Sequence, residues 1–284
     1  MPKAAKAATR VAAGAATPLR VATWNINSVR LRAPLLAGVV AALDPDILCL
    51  QETKTPDEHF PHEAAAALGY AHRVITGMKG YNGVAVLSRR PLTVLPDGRD
   101  WCGRGDCRHL GVAVDLPGGP LEIHNFYVPA GGDVPDPVAN PKFAHKLDFV
   151  AEVTAWTAAR GPAKRAVLVG DLNIAPLEHD VWSHRQMRDI VSHTAVEIEA
   201  MERWRKAGDW YDALRHFVPP EEKLYTWWSY RAKDWRAADR GRRLDHVWVS
   251  QDLAPALRRH AVLKDARGWG QTSDHVPVLV EIAP

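Results

Sequence analysis

The sequence predicts a mixed α/β domain in which sheets and helices pack in layers. Three observations favour this class. Short runs rich in Val, Leu and Ile alternate with helical patterns, some of these runs follow one another directly, and no linker divides the chain. A length of 284 residues lies near the upper limit for one hydrophobic core. We therefore expect one domain over residues 18–284, preceded by a disordered, basic, Ala-rich tail over residues 1–17.

The predicted strands are short apolar runs that end at polar or turn-forming residues. In chain order they are Leu19–Asn25, Ile47–Gln51, Gly83–Ser88, Leu110–Leu116, Leu121–Val128, Ala166–Gly170, Leu244–Ser250 and Val276–Ile282. The direct step from the fourth run to the fifth favours mixed sheets over purely parallel ones.

Helical patterns lie between these runs. The predicted helices are Pro34–Leu43, Pro61–Leu68, Lys142–Ala159, Val196–Lys206 and Trp210–Phe217. Pro34 and Pro61 are expected in the first turn of their helices, where a missing N–H is tolerated. The segment Leu177–Gly208 carries three histidines, His179, His184 and His193, which we expect on a surface helix and loop.

Charge and cysteine content narrow the class of protein. The formal net charge of +3 arises wholly in residues 1–17, so residues 18–284 are formally neutral. The longest apolar run, Ala33 to Leu43, has 11 residues and is too short to cross a bilayer, so no membrane partner is expected. Three cysteines without paired spacing and the absence of a secretory signal favour a reducing compartment, the bacterial cytoplasm.

Polar residues cluster where the apolar strands begin or end. Six strand termini carry them: Asn25 and Asn27, Gln51 and Glu52, Tyr127, Asp171 and Asn173, Asp245 and His246, and Asp274 and His275. Taken singly, each is typical of a turn or a helix cap, and His275 of a surface histidine. The repeated placement instead indicates a functional site, because ligands collect at the strand ends of α/β sheets.

The carboxylates of this set indicate a metal. Glu52, Asp171, Asp245 and Asp274 would repel one another in a shared site unless a cation compensated them. Oxygen donors without paired Cys or His spacing favour Mg²⁺, with Mn²⁺ as a substitute. Zinc motifs, a phosphate-binding P-loop, a dinucleotide-binding glycine pattern and a GxSxG nucleophile elbow are all absent from the sequence.

Seven motifs occur in the order found in the exonuclease III-type AP endonucleases, a branch of the endonuclease/exonuclease/phosphatase superfamily. They are Trp24–Asn27, Leu50–Lys54, Gly83–Val86, Asn125–Pro129, Gly170–Asn173, Leu244–Asp245 and Ser273–His275. The resemblance covers roughly residues 19–283. The Leu-Gln-Glu-Thr-Lys motif, Tyr127-x-Pro129 and the aromatic segment 226–231 resemble the DNA-repair branch in particular.

The resemblance implies a DNase I-like fold. This is a four-layer α/β sandwich of two packed mixed β-sheets flanked by helices, with the site at one edge. It implies Glu52 as the main magnesium ligand, with Asn25 or Asn27 and Asp274 nearby. The full set of implied metal-binding residues is Asn25, Glu52, Asp171, Asn173, Asp274 and His275.

The implied catalytic residues are Tyr127, Asp171, Asn173, Asp245 and His275. Asp171 matches the residue that activates water or protonates the leaving group. Asn173 and His275 would stabilise the phosphate oxygens, with Asp245 orienting His275, and Tyr127 would contact the scissile phosphate or the leaving oxygen. In-line phosphodiester hydrolysis needs an activated water, stabilisation of the charge on the phosphate oxygens, and assistance to the departing 3′-oxygen.

The segment Lys223–Arg243, which we call the basic-aromatic segment, is the expected DNA-binding region. It holds seven basic and two acidic residues, a net charge of +5, interleaved with five aromatics. Basic side chains neutralise phosphates, and aromatics stack on bases or line a sugar pocket. The resemblance implies that Trp227 and Leu244 wall an abasic-sugar pocket. The expected DNA-binding residues are Asn27, Arg108, Lys142, Trp227, Arg231, Arg242 and Leu244.

The sequence thus predicts a Mg²⁺-dependent DNA-repair nuclease that incises DNA 5′ to abasic sites and has 3′-phosphodiesterase and 3′→5′ exonuclease activity. Its expected partner is double-stranded DNA with abasic sites or blocked 3′ ends, and it is expected to act as a monomer associated with the nucleoid. One alternative keeps the site but hydrolyses a phosphoinositide or sphingolipid. Another is a DNA-binding scaffold without activity. The net charge of the basic-aromatic segment argues against the lipid substrate.

Overall fold

The computed structural model describes residues 18–96 and 99–284, so the tail predicted over residues 1–17 lies outside the described residues. The strands of the described part are β1 (Leu19–Asn25), β2 (Ile47–Gln51), β3 (His72–Met78), β4 (Tyr81–Ser88), β5 (Thr93–Val94), β6 (His109–Leu116), β7 (Gly119–Tyr127), β8 (Ala166–Asp171), β9 (Trp210–Asp212), β10 (Trp227–Trp228), β11 (Gly241–Arg242), β12 (Asp245–Ser250), β13 (Leu257–Val262) and β14 (Val278–Ile282). The helices are α1 (Val29–Leu43), α2 (His62–Ala67), α3 (Pro141–Arg160), α4 (His184–Met187), α5 (Ala195–Ala207), α6 (Ala213–Phe217) and α7 (Trp235–Ala238).

Twelve of the strands form two six-stranded sheets that have the same pattern of parallel and antiparallel pairs. The orders are β13-β14-β1-β2-β4-β3 and β5-β6-β7-β8-β12-β9. Each sheet contains one parallel pair, β1 with β2 and β7 with β8, and its other pairs are antiparallel. Both sheets are therefore mixed, as predicted. Strands β10 and β11 form a separate hairpin.

The sheets pack face to face, with helices on both outer faces. Side chains alternate along each strand, so Val21 of β1 lies in the core between the sheets and Trp24 packs under α1 and α2. On the second sheet, Val169 faces the central core and Leu168 packs under α3 and α5. This gives four layers, and the predicted sandwich is confirmed.

The four edge strands, β3, β5, β9 and β13, were missed by the sequence analysis, as was the β10–β11 hairpin. An edge strand has one unpaired side and is commonly polar. Every residue of β3 is only half-buried, and β13 carries the exposed residues Arg258 and Arg259. Such strands lack the continuous apolar run by which the interior strands were recognised.

Two helix predictions were wrong in their placement. Helix α1 begins at Val29, so Pro34 lies inside the helix and not in its first turn. The extra turn is stabilised by hydrogen bonds from the backbone N–H groups of Ser28 and Val29 to the carbonyls of Glu52 and Thr53. It also buries Val29 in the outer core.

The predicted helix Trp210–Phe217 is a strand followed by a short helix. Residues 210–212 pair with β12 as an edge strand, and α6 starts only at Ala213. The change occurs at Asp212, whose carboxylate caps α6 by accepting hydrogen bonds from the N–H groups of Leu214 and Arg215. The N-cap at Asp212 determines where α6 starts. The helical spacing of apolar residues, on which the prediction relied, does not indicate that position.

The segment 177–208 is only partly on the surface. His184 is exposed, but His193 is buried, and its Nδ1 lies 2.6 Å from the Ala175 carbonyl oxygen. The surface prediction was therefore wrong for His193. Over the described ranges 18–96 and 99–284, none of the helices combines the length and the apolar character needed to cross a membrane.

Candidate active site

The strand directions bring the polar strand ends to one edge of the sandwich. β1 ends at Asn25, β2 ends just before Glu52, and β8 ends at Asp171. Strand β12 runs antiparallel to β8 and begins at Asp245, which is the direct partner of Asp171 in the register. His275 pairs with Trp227 in an isolated β-bridge beside them. All of the catalytic residues expected from the sequence meet at this edge.

His275 lies between two buried carboxylates. Its Nδ1 is 2.8 Å from Asp245 Oδ2, and its Nε2 is 3.6 Å from Asp171 Oδ2. Burial by itself lowers the pKa of an imidazole, but the charges of Asp245 and Asp171 outweigh burial and raise the pKa of His275 to about 10. His275 is therefore a cation at neutral pH, and the contact with Asp245 fixes the orientation of its ring.

The Asp171 carboxylate accepts three hydrogen bonds from amide groups. The donors are Asn25 Nδ2 at 2.8 Å, the Asn173 backbone N–H at 3.0 Å and Asn173 Nδ2 at 3.1 Å. Burial raises the pKa of Asp171 to about 7, against the opposing charge of His275 and with a further increase from Asp245. A carboxyl group with a pKa near neutrality can both accept and return a proton, as general acid–base chemistry requires.

Asn173 is held in an uncommon backbone conformation by the residues behind it. Its φ is +53°, in the left-handed region, and its side chain donates from Nδ2 to the Val128 carbonyl. The buried Lys146 ammonium donates to the Asn173 carbonyl at 2.7 Å and pairs with the buried Glu197 carboxylate at 2.5 Å. This buried ion pair connects α3 and α5 to the loop that follows β8.

The sequence analysis did not identify Lys146 or Glu197. A signal was present, because Lys146 lies three residues after Phe143 and three before Phe149, on the apolar face of α3. Glu197 likewise lies on the buried face of α5 with Met201. A charged residue on the apolar face of a helix indicates a buried partner.

A second group of polar residues lies next to the first and could hold a metal ion. Asn25 Nδ2 donates to Glu52 Oε1 at 2.8 Å, and Lys54 Nζ lies 2.8 Å from Glu52 Oε2 and 2.6 Å from Asn27 Oδ1. Asn27 Nδ2 lies 3.3 Å from Asp274 Oδ1. Asn27, which was expected to bind DNA, therefore contacts the expected metal ligands. Lys54 was absent from the predicted site residues although its motif had been recognised.

The donors of this group suit a hard cation. Glu52 and Asp274 are partly exposed in one cavity with Asp171 and Asn173, so the cavity offers carboxylate and amide oxygens. Burial opposes ionisation of Glu52, but Lys54 and Asn25 hold the pKa of Glu52 below its usual range. A cation thus already contacts Glu52, in the form of the Lys54 ammonium. Asp171, Asp245 and His275 also present ligand atoms within 4.8 Å of one another.

Tyr127 ends β7 directly opposite Asp171 in the parallel register. Burial, followed by the charges of Glu52 and Asp171, raises the pKa of Tyr127 well above its usual range, so the phenol remains protonated. The Arg108 guanidinium lies 4.8 Å from the centre of the Tyr127 ring and pairs with Asp106. Arg108 is buried and contacts Tyr127 from behind, so it is not part of an exposed surface.

The cavity at the site has an apolar side. Trp227 and Leu244 line it, and Trp227 Nε1 donates to Asp274 Oδ2 at 2.9 Å. Arg242 lies in the same wall, with its guanidinium 5.0 Å from the centre of the Trp227 ring. Three expected DNA-binding residues are thereby brought together beside the catalytic group.

The other basic residues of the basic-aromatic segment, and Lys142 outside it, are dispersed. Arg231 is exposed and lines a neighbouring cavity with Trp227 and Arg242, and Lys142 is exposed at the start of α3. Arg243, by contrast, is fully buried between Asp180 and Asp212, at 2.8 and 2.7 Å. One of the seven basic residues of the basic-aromatic segment therefore has a structural role.

Comparison with known proteins places this geometry among nucleases. Residues 22–275 match the Endonuclease/Exonuclease/phosphatase family. An exodeoxyribonuclease of Bacillus subtilis is 30% identical over 92% of this chain and 98% of its own length. An AP endonuclease from Archaeoglobus fulgidus superposes with a TM-score of 0.82, at 29% identity over 93% of this chain and 99% of that chain. The 3′ phosphatase NExo from Neisseria, bound to a product DNA hairpin, gives a TM-score of 0.79 at 32% identity over 93% and 99% of the two chains.

Proposed function

The chain belongs to the Endonuclease/Exonuclease/phosphatase family and is a DNA-repair nuclease, and on this premise we propose that it incises duplex DNA 5′ to abasic sites with Mg²⁺ as its metal. It also has 3′-phosphodiesterase and 3′→5′ exonuclease activity on duplex DNA. We infer that it acts as a monomer in the bacterial cytoplasm.

The observation that carries the proposal is the buried Asp171–His275–Asp245 group. Asp171, with its pKa raised to about 7, takes the proton from the attacking water or protonates the leaving 3′-oxygen. The cationic His275 and the Asn173 amide are placed to hold phosphate oxygens as negative charge develops on them. Tyr127 remains protonated and can donate a hydrogen bond to the phosphate or the leaving oxygen.

Glu52 and Asp274, with Asn25 and the neighbouring Asp171 and Asn173, are the residues proposed to hold the metal. His275, which was also expected to bind it, is left out of this set because a cationic imidazole has no lone pair for a metal ion. Family membership makes the enzyme metal-dependent, and the oxygen-rich donor set favours Mg²⁺, with Mn²⁺ as a substitute. When bound, the ion would neutralise charge on the phosphate oxygens and the leaving oxygen. Lys54 must then release Glu52 or share it.

We propose duplex DNA with abasic sites or blocked 3′ ends as the substrate. The apolar wall of Trp227 and Leu244 suits a sugar without a base, while the exposed Lys142 and Arg231 suit backbone phosphates. Arg242 completes the proposed DNA-contacting set. Asn27 and Arg108, which were also expected to bind DNA, contact Asp274 and Tyr127 instead, so we propose that they position those residues. A phosphoinositide or sphingolipid substrate is not favoured, because the relatives above carry nuclease names or bind DNA.

The proposal is tested with two duplexes, one containing a tetrahydrofuran abasic analogue and one undamaged with a recessed 3′ end, in Mg²⁺ or in EDTA. We expect EDTA-sensitive incision of the first and resection of the second. In the Asp171→Asn variant, DNA binding should be largely kept while the rate falls roughly 10²-fold or more, as on loss of a general acid or base. No cleavage of either duplex by the wild type would defeat the proposal, and near-normal turnover of the variant would defeat the role of Asp171.

A further inference from the structure

Arg242 is a partly buried cation in the wall of the active-site cavity. Its Nη1 donates to the Val191 carbonyl at 3.2 Å and to Ser192 Oγ at 2.9 Å, and its guanidinium lies against the Trp227 ring. Its Nε is buried without any hydrogen-bond partner. Among the residues that the structure describes, Arg242 forms no ion pair. The groups that contact the Arg242 guanidinium are all uncharged, so they hold it in position but do not compensate its positive charge.

The next residue, Arg243, is an arginine whose charge is compensated by carboxylates. Arg243 is fully buried and pairs with both Asp180 and Asp212. Burial lowers the pKa of both arginines. Only Glu197 opposes this effect at Arg242, whereas at Arg243 the charges of Asp180 and Asp212 outweigh burial and raise the pKa. Burying a charge without a partner is costly. An anion that enters the cavity from outside would relieve that cost at Arg242 and not at Arg243.

Arg242 lies at a distance from His275, which is proposed to hold the scissile phosphate. Trp227 pairs with His275 on one side and with Arg242 on the other, so the Cα atoms of His275 and Arg242 are two strand spacings apart, about 10 Å. Apart from the proposed catalytic and metal-binding residues, the residues that line this cavity with Arg242 are uncharged: Ala130, Gly132, Val191, Ser192, Trp227 and Leu244. The adjoining cavity, which Arg242 also lines, holds the charged residues Asp133, Arg231 and Arg240. Arg242 is therefore placed to meet a group attached to the scissile phosphate.

We propose that Arg242 makes this cavity select 3′ blocking groups that carry a negative charge beyond the scissile phosphate, such as the carboxylate of a 3′-phosphoglycolate. The inference rests on the proposed nuclease function and concerns its substrate preference. Water attacks phosphorus, the bond from phosphorus to the DNA 3′-oxygen breaks, and that oxygen leaves with a proton as a 3′-hydroxyl. Phosphoglycolate departs with its carboxylate at Arg242.

The test compares three 3′ ends in one nicked duplex at saturating Mg²⁺. They are a phosphoglycolate, a phosphate bearing a neutral tetrahydrofuran, and a simple phosphate. For Arg242→Gln, we expect kcat/KM to fall about tenfold or more on the phosphoglycolate end and to change little on the other two. Arg242→Lys, which keeps the charge, should recover part of the loss. The matched control is Arg240→Gln, which removes a neighbouring arginine that lies against Trp182; it should affect all three ends equally.

Each result separates the inference from the proposed function. The ratio of kcat/KM values between two ends is measured within one preparation, so partial misfolding of a variant does not alter it. Equal losses on the phosphoglycolate and tetrahydrofuran ends in Arg242→Gln would overturn the selectivity assigned to Arg242 while leaving the nuclease function intact. Absence of cleavage of all three ends by the wild type would overturn the nuclease function itself.

Discussion

His275 and His109 are both buried histidines in this sandwich, and their imidazoles are expected to differ in charge. His275 is 4% exposed and His109 is 6% exposed. Burial lowers the pKa of both groups, yet the pKa of His275 is raised to about 10 and that of His109 is held well below its usual range. Burial therefore does not decide the charge state, and the neighbouring groups do.

The two histidines have opposite partners. His275 has the carboxylates of Asp245 and Asp171 on its two ring nitrogens. His109 stacks on Phe126 with ring centres 4.0 Å apart, and its Nε2 lies 3.1 Å from His124 Nδ1. The imidazole of His124 can accept a hydrogen bond from a neutral His109, but it carries no negative charge that would compensate a protonated His109. The carboxylates around His275 thus stabilise a charged imidazole, whereas the aromatic surroundings of His109 keep its imidazole neutral.

The largest expected effect comes from making the partner of His275 neutral. Asp245→Asn removes the carboxylate that charges and orients the ring, so we expect kcat to fall roughly 10²-fold or more, with DNA affinity little changed. The measurement is single-turnover incision together with binding measured in EDTA. Glu122→Gln is the matched control, because it makes the same chemical change at 3.4 Å from His124 Nε2. A comparable loss of kcat in Glu122→Gln would show that charge at any buried histidine matters equally.

The second prediction gives His109 the kind of partner that His275 has. His124→Asp places a carboxylate oxygen at the δ position where the imidazole Nδ1 now meets His109. We expect the pKa of His109 to rise by about one to three units, as an adjacent opposite charge usually produces. The measurement is NMR titration of the His109 ring, and His124→Asn, with the same shape and no charge, should leave the pKa low. Equal titration curves in the two variants would contradict the partner rule.

The sequence predicted which polar residues meet at one edge of the sandwich, and the reason is physical. Asn25, Glu52, Asp171 and Asp245 interrupt apolar interior strands, and both features can be read along the chain. The directions of the strands then force those interruptions to one edge. The four edge strands have no continuous apolar run that ends at a polar residue. The sequence analysis therefore predicted the interior strands of both sheets and missed the strands at their edges. The start of α1 also depended on distant carbonyls, those of Glu52 and Thr53, which no local pattern reports.

The supporting residues were harder to predict because their role depends on partners far along the chain. Lys146 and Glu197 are 51 residues apart and meet only when α3 packs on α5. Arg242 and Arg243 are neighbours with the same chemistry, and only the fold assigns one to the cavity wall and the other to a buried pair with Asp180. Local residue type therefore predicted the polar residues that meet at the site and not the residues that hold them in place.

The smallest expected effect concerns His246, which follows Asp245 in β12 and points to the other face of the sheet. Burial, with a further contribution from the charge of Arg243, lowers the pKa of His246 to about 4. Its Nε2 donates to the Ile174 carbonyl at 2.8 Å, and its Nδ1 has no partner. An unfolded histidine takes up a proton near pH 6.5, so the unfolded state binds more protons than the folded state between pH 6.5 and about 4.

The free energy of unfolding should therefore decrease as the pH falls through that window, by up to about 1.4 kcal/mol per pH unit for this group. His246→Gln keeps a donor near the Ile174 carbonyl but cannot titrate, so its stability should fall less steeply with acid. Urea unfolding of wild type and variant at pH 7.5, 6.5 and 5.5 measures the difference. His275, whose pKa is raised, contributes with the opposite sign, because its stabilisation is complete below pH 6.5 and is lost toward pH 10. If wild type and His246→Gln lose stability in parallel below pH 6.5, His246 is not the neutral group that its surroundings indicate.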